Sequence, residues 1–553
     1  MCATRTPESE APVPTFRIAA QQLEKLPPCQ ASCPNSGDIR GWIGVIAQHE
    51  KNGLTIEQAY DEAWLRLAER NPFPATIGRI CPHPCEDLCT RADKDGAVSI
   101  NAIERFLGDW AIERSLNLPV MPEQSWPESI GVVGSGPASL SFAYQMARRG
   151  YRVEVYDQHD VPGGMLRHAI PDYRLPREIL DAEIERLLDL DISMAMNVDV
   201  GTTVTLEELR NRHALMFLGL GAQQGRRLGI PGEDGPGVVS GIDYLQERKT
   251  GPVSLTGRRV LVIGGGNTAI DAARSARRDG AIVSVVYRRS EAEMPAAREE
   301  IEAAKSEGVA FRFLLAPTSI VRSGRSIQHL EVQPMQLGEP DEQGRRKPVP
   351  VPGERQELPA DMIIVAVAQA PDWHGMDKVV GSGDVLDASD EGRLAAGLWA
   401  GGDDRGAGLA SAAIAQGRYA AEAAHAELRD LPRPVPDAAR HPVEPGSVRT
   451  DYYAEQQRGD LPQRPAAAWL SDPEGEIALT MGEDQALAEA QRCLSCGLCF
   501  DCQQCFMYCN GAGFTRVEQT EPGKYFVLAL EACEGCGKCI EICPCGYLEP
   551  RAE

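Results

Sequence analysis

The middle of this chain has no cysteine. All seventeen cysteines lie at or before Cys89 or from Cys493 onward, and residues 90–492 contain none. The N-terminus also has no basic-then-apolar segment of the kind that directs secretion, and disulfide frameworks belong mainly to small secreted proteins. A large chain of ordinary globular composition therefore favours reduced thiols bound to metal, in a reducing compartment that we expect to be the cytoplasm. The sequence predicts metal chemistry at both ends.

Long apolar runs and positive charge are also scarce. The longest apolar runs, such as Met362–Ala368, are far shorter than the roughly 20 residues that cross a bilayer. The formal net charge is -24, from 56 Lys and Arg against 80 Asp and Glu. Nucleic acid and anionic membranes bind clustered basic residues, so we expect neither as a partner. The alternative interpretation of the negative charge is that it only keeps the protein soluble.

The order of sequence patterns predicts a multidomain α/β protein. A chain of 553 residues exceeds what one hydrophobic core usually supports. Thr55–Arg70 has the apolar spacing of a helix. From Ser129 the pattern becomes strand, glycine turn and helix, and the same order restarts at Arg258. Arg429–Pro473, rich in Pro, Ala and charge, is typical of a linker, and a short helix over Glu483–Arg492 follows it.

The C-terminal tail carries two successive ferredoxin-type cysteine runs. Each run has the spacing C-x2-C-x2-C-x3-C, and the second ends in Cys543-Pro544. Because the fourth cysteine of such a run ligates the other cluster, the spacing predicts two [4Fe-4S] clusters with crossed ligands. One set is Cys499, Cys502, Cys505 and Cys543, and the other is Cys509, Cys533, Cys536 and Cys539. Zinc is the rival metal for C-x2-C pairs, but the third cysteine and the Cys-Pro ending favour iron.

Three tail cysteines exceed what two clusters require. They are Cys493, Cys496 and Cys545. The every-third spacing from Cys493 to Cys505 could offer an alternative set of ligands. We interpret the three as spare structural thiols.

The first nucleotide unit begins at Ile130. Gly134 permits a tight turn, Gly136 lets the backbone approach a pyrophosphate at the helix N-terminus, and Asp157 at the end of the next strand can accept a ribose hydroxyl. Ser139 stands where the fingerprint has its third glycine. The motif alone is weak, but its position between two strands predicts dinucleotide binding.

The second unit ends its second strand in two arginines. Its glycine turn supplies the candidates Gly264, Gly266, Asn267 and Thr268. An acidic residue at the strand end suits an unmodified ribose, whereas Arg288 and Arg289 suit the 2'-phosphate of NADP. NADPH is therefore favoured with NADH still open, and the alternative is that both arginines are solvated surface charges.

Two further clusters of residues carry chemistry. After the strand Met362–Ala368, Gly402 and Asp403 precede a helix and could contact a flavin. The chain would then re-enter the first unit here, so that the second unit is inserted into the first. Near the N-terminus five cysteines precede the first unit, and their short spacings with two Cys-Pro pairs favour one further iron-sulfur cluster over inert thiols. They are Cys29, Cys33, Cys81, Cys85 and Cys89.

Over residues 25–425 the chain resembles the small subunit of NADPH-dependent glutamate synthase, with relatives in ferredoxin:NADP transhydrogenase and the N-terminal half of dihydropyrimidine dehydrogenase. The marks are Cys81-Pro-His-Pro-Cys85-Glu86, Gly134-Ser-Gly-Pro137, Gly163-Gly-Met-Leu166, Ile170-Pro-Asp-Tyr-Arg-Leu-Pro176, Ile230-Pro-Gly-Glu233, Gly264-Gly-Gly-Asn267, Tyr287-Arg-Arg289 and Met294-Pro295. The tail resembles the ferredoxin extension of some members. The resemblance adds Pro137, Ala138, Gly164, Met165, Leu166 and Arg174 to the expected cofactor-binding residues.

The resemblance implies a division into five parts. These are a helical iron-sulfur domain (1–125), an FAD domain (126–253 and 385–427), an inserted NAD(P)H domain (254–384), a linker (428–490) and a ferredoxin-like domain with two clusters (491–553). It also implies one N-terminal cluster held by Cys33, Cys81, Cys85 and Glu104. Cys29 and Cys89 match ligands of a second family cluster whose other cysteines are missing here, and could compete for the first one. Glu104 as a plain helix-surface carboxylate is the alternative.

These features predict an electron-transfer subunit of an oxidoreductase complex. The resemblance implies that NAD(P)H docks on residues 254–384 and reduces FAD, and that single electrons then pass through the clusters to a catalytic subunit or to ferredoxin. No acid-base catalytic residue is needed for hydride transfer to a flavin. The alternative is a ferredoxin-like carrier and docking module whose flavin site is structural or regulatory. A complete glutamate synthase is not expected, since no glutaminase or FMN barrel is present.

Overall fold

The computed structural model describes residues 18–121, 125–251, 253–341, 344–376, 385–434 and 441–551. Residues 1 to about 15, whose Pro, Ser and Thr content predicts a frayed segment, lie outside these ranges, as does the predicted boundary at 384–385. Within the described residues, every helix is too short or too polar to cross a bilayer.

The N-terminal region is helical, as its apolar spacing predicts. The central helix is capped by Thr55, the residue before it, whose side chain accepts from the Gln58 amide while the Gln58 side chain accepts from the Thr55 amide. Tyr60 and Trp64 are fully buried on its inner face. The elements are β1 (Ala20–Gln22), α1 (Pro28–Ser32), α2 (Ile39–Ala47), α3 (Ile56–Ala68), α4 (Pro74–Ile80), α5 (Pro84–Asp87), α6 (Ala92–Asp95) and α7 (Ile100–Glu113).

The first nucleotide unit has the predicted strand, turn, helix and strand. Its elements up to the insertion are β2 (Ser129–Val133), α8 (Pro137–Ala147), β3 (Arg152–Asp157), α9 (Met165–His168), α10 (Arg177–Leu188), β4 (Ile192–Met196), α11 (Leu206–Arg212) and β5 (Leu215–Leu218), followed by β6 (Gln224–Gly225). β4, β3, β2 and β5 are neighbours in one parallel sheet. The apolar strands are buried because helices cover both faces.

The second nucleotide unit forms its own parallel sheet. Its elements are β7 (Val238–Ser240), α12 (Gly241–Thr250), β8 (Arg259–Ile263), α13 (Asn267–Arg278), β9 (Ile282–Tyr287), α14 (Arg298–Ser306), β10 (Ala310–Phe313), β11 (Leu315–Ser323), β12 (Ser326–Pro340), β13 (Arg346–Pro350), β14 (Gln356–Pro359) and β15 (Met362–Val365). The sheet order is β10-β9-β8-β15-β7, and β11 to β14 form a separate antiparallel sheet. Because β7 pairs with β15, the sheet begins well before residue 254, where the sequence placed its start.

A short antiparallel pair connects the two units. β6 pairs with β16 (Gln369–Ala370) as the chain leaves and re-enters the first unit. The returning elements are β17 (Arg393–Ala395), β18 (Leu398–Ala400) and α15 (Ala410–Arg429). β18 pairs in parallel with β5, so the second unit is inserted into the first, as predicted.

The tail packs back onto the N-terminal helices. Its elements are α16 (Ala466–Trp469) in the linker, then α17 (Glu483–Gln491), α18 (Gln504–Met507), β19 (Phe514–Glu521), β20 (Lys524–Leu528), α19 (Lys538–Ile542) and β21 (Leu548–Pro550). β21 pairs with β1, so the two described ends of the chain share a sheet. The helix predicted over Glu483–Arg492 is α17.

Candidate flavin and iron-sulfur sites

A deep pocket lies at the carboxyl ends of the strands of the first unit. Every cofactor residue expected from the first unit lines it, together with two from the turn of the second unit. They are Gly134, Gly136, Pro137, Ala138, Asp157, Gly164, Met165, Leu166, Arg174, Gly402 and Asp403, with Asn267 and Thr268 from the second unit. In open parallel sheets this edge is where nucleotides bind.

The glycine turn leaves room for a pyrophosphate. Gly134 has φ +88°, and a Cβ there would lie 2.3 Å from the carbonyl oxygen of Gly219. A Cβ on Gly136 would meet nothing within 4 Å, because this position faces the open pocket. Helix α8 starts directly after Gly136 with Pro137 as its first residue. The free amides and positive end of this helix therefore suit the pyrophosphate of FAD.

The carboxylate expected to accept a ribose hydroxyl closes the turn. Asp157 accepts from the amide of Ser135 at 2.7 Å and from its hydroxyl at 2.6 Å, and its other oxygen accepts from the His159 amide at 2.9 Å. Burial acts to raise the pKa of Asp157, but the His159 imidazole, whose Nδ1 lies 2.9 Å from the carboxylate, together with the hydrogen bonds from Ser135 and the His159 amide, outweighs it and holds the pKa below its usual value. The group is ionised and is a ready acceptor.

Arg174 joins the two nucleotide units across the pocket. Its Nη1 donates to both carboxylate oxygens of Asp271 on α13, at 2.8 and 2.9 Å, and its Nε lies 3.3 Å from Glu300. The sequence missed Asp271, which also lines the pocket, because a single acid on the buried side of a helix gives no local signal.

A second cleft follows the glycine turn of the second unit. It contains Gly264, Gly266, Asn267 and Thr268 together with Arg288 and Arg289. Arg288 is exposed, whereas Arg289 is buried. Arg289 donates to the carbonyl of Arg346 at 2.9 Å and pairs with Asp341 at 3.0 Å, which fixes the edge of the antiparallel sheet. The two arginines therefore differ: Arg288 is open to a ligand, and Arg289 is held by the protein.

We expect Arg288→Ala to raise the KM for NADPH roughly ten- to hundredfold, because a charge-assisted hydrogen bond contributes about 1.5–3 kcal/mol. NADH lacks the 2'-phosphate, so its KM should change little. Steady-state kinetics with both nucleotides measure this. Arg289→Ala is the matched control: it should lower thermal stability without this selectivity. If Arg288→Ala raised the KM for NADPH and for NADH equally, Arg288 would not be the residue that binds the 2'-phosphate.

The flavin pocket shares a wall with a thiol pocket in the helical domain. This pocket contains the group expected from the resemblance, which we term the flavin-side group: Cys33, Cys81, Cys85 and Glu104. Cys81 and Ser411 line both pockets, and the Cys81 thiol lies 3.8 Å from the Ser411 hydroxyl. Ser411 was missed because one serine at the start of a helix is unremarkable in sequence.

The flavin-side residues line one pocket, where burial and mutual repulsion act on their pKa values. Burial raises the pKa of Cys81 to about 12, with added repulsion from Glu104 and Cys33. Burial also raises the pKa of Glu104 to about 7, although Asn71 donates to its carboxylate at 2.8 Å. Glu104 is thus not the plain helix-surface carboxylate of the alternative. Three thiols and one carboxylate suit iron, which replaces protons on such ligands.

The tail brings its eight ferredoxin cysteines together in the crossed arrangement that the spacing predicts. Burial, with the neighbouring thiols of Cys502 and Cys543, raises the pKa of Cys499 to about 12. Cys505 has Cys499, Cys502 and Cys543 as neighbours. We term these four the inner tail group. Around Cys539 lie Cys533, Cys536 and Cys509, the outer tail group.

The remaining cysteines fall in two places. Cys545 is buried, and its sulfur lies 3.8 Å from that of Cys543. Cys29 and Cys89 do not join the flavin-side group as competing ligands but lie with Cys493 and Cys496. In the described part of the chain, no three His, Cys, Asp or Glu side chains converge closely enough to hold a single metal ion. A four-iron cube is several ångströms across, so its thiolates stand farther apart than those of one ion.

Two family models match the chain. The pyridine nucleotide-disulphide oxidoreductase model covers residues 128–417, and the dihydropyrimidine dehydrogenase domain II, 4Fe-4S cluster model covers residues 22–116. The two matches coincide with the nested nucleotide units and with the helical domain.

Curated relatives extend the similarity. The NADP(+)-dependent formate dehydrogenase subunit beta of Moorella thermoacetica is 35% identical over 85% of this chain and 70% of its own length. The glutamate synthase [NADPH] small chain of Escherichia coli is 33% identical over 72% of this chain and 87% of its own length. The NADPH-Fe(3+) oxidoreductase subunit beta of Geobacter sulfurreducens is 36% identical over 62% of this chain, which spans about half of that relative's length (51%).

The two nested nucleotide units and the cysteine groups define an FAD-dependent NAD(P)H oxidoreductase that also uses [4Fe-4S] chemistry in electron transfer. The chain belongs to the pyridine nucleotide-disulphide oxidoreductase family, in the branch that contains the small chain of NADPH-dependent glutamate synthase. The resemblance stated from the motifs is confirmed.

Proposed function

We propose that this chain oxidises NADPH and delivers the electrons, one at a time, to a partner catalytic subunit or to ferredoxin through its C-terminal tail. The observation that carries this proposal is the shared wall at Cys81: the pocket that fits FAD and the pocket that fits a cluster have this thiol in common. The names of the relatives, which include subunits of formate dehydrogenase and glutamate synthase, support a role within a larger complex.

The residues divide the work between the two nucleotide sites. The cleft with Arg288 would hold NADPH by its 2'-phosphate, and the Gly134 turn would hold FAD. Bound FAD supplies the chemistry of accepting a hydride and releasing single electrons. Arg174 and Asp271 keep the two units in contact beside the flavin pocket, so that the nicotinamide and the flavin can meet.

The ligand sets and domain roles are part of the proposal. The flavin-side group would hold one cluster through three thiolates and Glu104, and the two tail groups would hold one cluster each. Residues 428–490 would serve as the linker between the flavin domain and a ferredoxin-like domain. The sixteen described cysteines are free thiols, which supports a reducing compartment such as the cytoplasm.

Anaerobic mixing with NADPH tests this function against the carrier-and-docking alternative. The FAD-loaded protein should lose its flavin absorption within milliseconds to seconds and then transfer electrons to an added one-electron acceptor. A fully loaded flavin that neither NADPH nor NADH bleaches would instead support a structural or regulatory flavin site, and the oxidoreductase proposal would fail.

Replacing Cys536 with Ala should remove the outer tail cluster alone. Cys536 is exposed and is not among the residues that line the flavin pocket, so bleaching of the flavin by NADPH should continue. Iron analysis should show a loss of about four iron atoms per chain, the content of one cluster. Unchanged iron content would refute the assignment of the outer tail group.

A further inference from the structure

Four cysteines without an assigned role converge at the junction of the helical domain and the tail. We term them the shared group: Cys29, Cys89, Cys493 and Cys496. Cys29, Cys89 and Cys493 pack against the same apolar core, and the Cys496 sulfur lies 3.4 Å from the hydroxyl of Thr90, the residue after Cys89. Burial raises the pKa of the Cys29 thiol, and the nearby thiols of Cys493, Cys496 and Cys89 raise it further. Cys493 has Cys496 and Cys89 as neighbours in turn. Two ligands therefore come from each end of the cysteine-free middle.

The turn that carries Cys493 and Cys496 has the backbone of a ferredoxin turn. In the two ferredoxin runs, the second residue after the first cysteine and the residue after the second cysteine are both left-handed: Asp501 and Gln503 in one run, Gly535 and Gly537 in the other. The same two positions after Cys493 are left-handed as well, at Ser495 (φ +52°) and Gly497 (φ +73°).

A left-handed serine costs conformational energy, which ordinary loops avoid. Its amide here donates to the Cys493 sulfur at 3.5 Å, as the Gly37 amide does to Cys33 and the Gly513 amide to Cys509 at 3.3 Å. Cys33 and Cys509 belong to the flavin-side and outer tail groups. The Cys493 turn therefore has the left-handed positions of the two ferredoxin turns. As in the other cysteine groups, a backbone amide also donates to a cysteine sulfur, here from two residues along the chain and at Cys33 and Cys509 from four.

A buried cation faces the shared group. Arg40, 2% exposed, lies close enough to lower the pKa of Cys29, Cys493 and Cys496. One Nη donates to the carbonyls of Lys25 and Cys496, both at 2.7 Å, and the other pairs with the half-exposed Glu24 at 2.8 Å. The buried Nε has no partner among the described residues. A free donor and a positive charge beside four thiols suit a cluster that carries net negative charge.

Helical-domain residues next to Cys89 hold the tail turn in place. The Cys496 sulfur lies 3.4 Å from the hydroxyl of Thr90, and the buried guanidinium of Arg91 donates to the carbonyl of Arg492 at 2.6 Å. These contacts fix the distance between the two halves of the group before any metal binds, as expected of a built site and not of spare thiols.

We propose that the shared group binds a further [4Fe-4S] cluster, which relays single electrons between the flavin-side group and the inner tail group. The relay role rests on the proposed function, whereas the binding of a cluster by these four cysteines does not. Each relay step adds one electron to the cluster and removes one, with no bond made or broken in the protein. The interpretation of Cys493 and Cys496 as spare thiols is replaced.

The spacing of cysteines places the shared group between its neighbours. Cys29 is the second residue of helix α1 and Cys33 directly follows it, and four residues of helix span about 6 Å. Cys85 and Cys89 are likewise four residues apart, and one of each pair belongs to the flavin-side group. On the other side Cys496 is three residues from Cys499 of the inner tail group. A continuous series of groups thus runs from the flavin pocket to the outer tail group.

Iron analysis of paired variants tests the shared ligation. Four clusters predict about sixteen iron atoms per chain after anaerobic reconstitution. The helical-side pair (Cys29→Ala with Cys89→Ala) and the tail-side pair (Cys493→Ala with Cys496→Ala) should each lose about four. The quadruple variant should also lose about four, because all four residues serve one cluster. Full iron in the tail-side pair, or a loss of about eight in the quadruple variant, would overturn the proposal.

Cys545→Ala is the matched control. It removes a buried thiol from the same tail, and the protein should keep its full iron content. Should a pair fail to fold, as judged by FAD content and circular dichroism, Cys496→Asp supplies an oxygen ligand in its place. Its reduced EPR spectrum must differ from that of the wild type, and an identical spectrum with full iron would also overturn the proposal. Iron content does not depend on NADPH. A flavin that NADPH cannot bleach would therefore refute the proposed function, whereas the presence of the shared cluster would still be decided by the iron and EPR measurements.

Discussion

Replacing Gly134 with Ala should abolish FAD binding and destabilise the first nucleotide unit. The new Cβ would lie 2.3 Å from the Gly219 carbonyl oxygen, which belongs to the chain directly after β5. The left-handed conformation at φ +88° adds a cost of about 1–2 kcal/mol for any residue with a Cβ. With the backbone shift that the clash requires, we expect a total on the order of 3 kcal/mol.

The effect should reach beyond the turn itself. The Gly134 amide donates to the Tyr156 carbonyl at 2.8 Å, so moving it disturbs β3 and the position of Asp157. Purified protein should lack flavin colour, and the apoprotein should unfold at lower denaturant concentration.

Gly136→Ala separates the two causes. Its φ of -76° suits any residue, and its Cβ would project into open space within the flavin pocket. The Gly136→Ala apoprotein should therefore be as stable as the wild-type apoprotein while binding FAD more weakly. Normal FAD content in Gly134→Ala would contradict the assignment of the turn.

Arg492→Ala should detach the tail from the helical domain. The guanidinium is fully buried and donates to the carbonyls of Gly96 at 2.7 Å and Ala97 at 3.0 Å. It also pairs with Glu489, which is 1% exposed. Removing one partner of a buried ion pair leaves an uncompensated charge and typically costs about 3–5 kcal/mol.

This loss should change electron transfer as well as stability. Arg492 directly precedes Cys493, so releasing it frees the turn beside Thr90 and Arg91. We expect a separate, earlier unfolding transition of the tail and slower reduction of its clusters. Arg492→Lys should retain part of the interaction, and Lys524→Ala, at an exposed surface pair, should leave the transition unchanged. A single transition at the wild-type temperature in Arg492→Ala would contradict this role.

Local patterns predicted the two nucleotide units well. The strand over Ile282–Tyr287 and the turn at Gly134 are where the sequence placed them, because short apolar strands and glycine turns leave signals within a few residues. The crossed tail groups were also readable, since their spacing alone encodes which cysteines meet.

Features that depend on distant contacts could not be read. β7 joins the second sheet through β15, more than a hundred residues later. The sequence assigned Arg288 and Arg289 the same role, but the fold places the carbonyl of Arg346 against Arg289, which donates to it. Cys29 and Cys493 meet because β1 pairs with β21 and Arg40 binds the tail, and neither contact has a local pattern.

Freeze-quench EPR of the anaerobic, FAD-loaded protein mixed with NADPH tests the central claim most directly. The flavin should be reduced first, and the signals of reduced [4Fe-4S] clusters should appear before one catalytic turnover is complete. These signals should include those of the tail clusters, part of which Cys536→Ala should remove. A flavin that is reduced while all cluster signals remain those of the oxidised protein would contradict electron delivery through the tail.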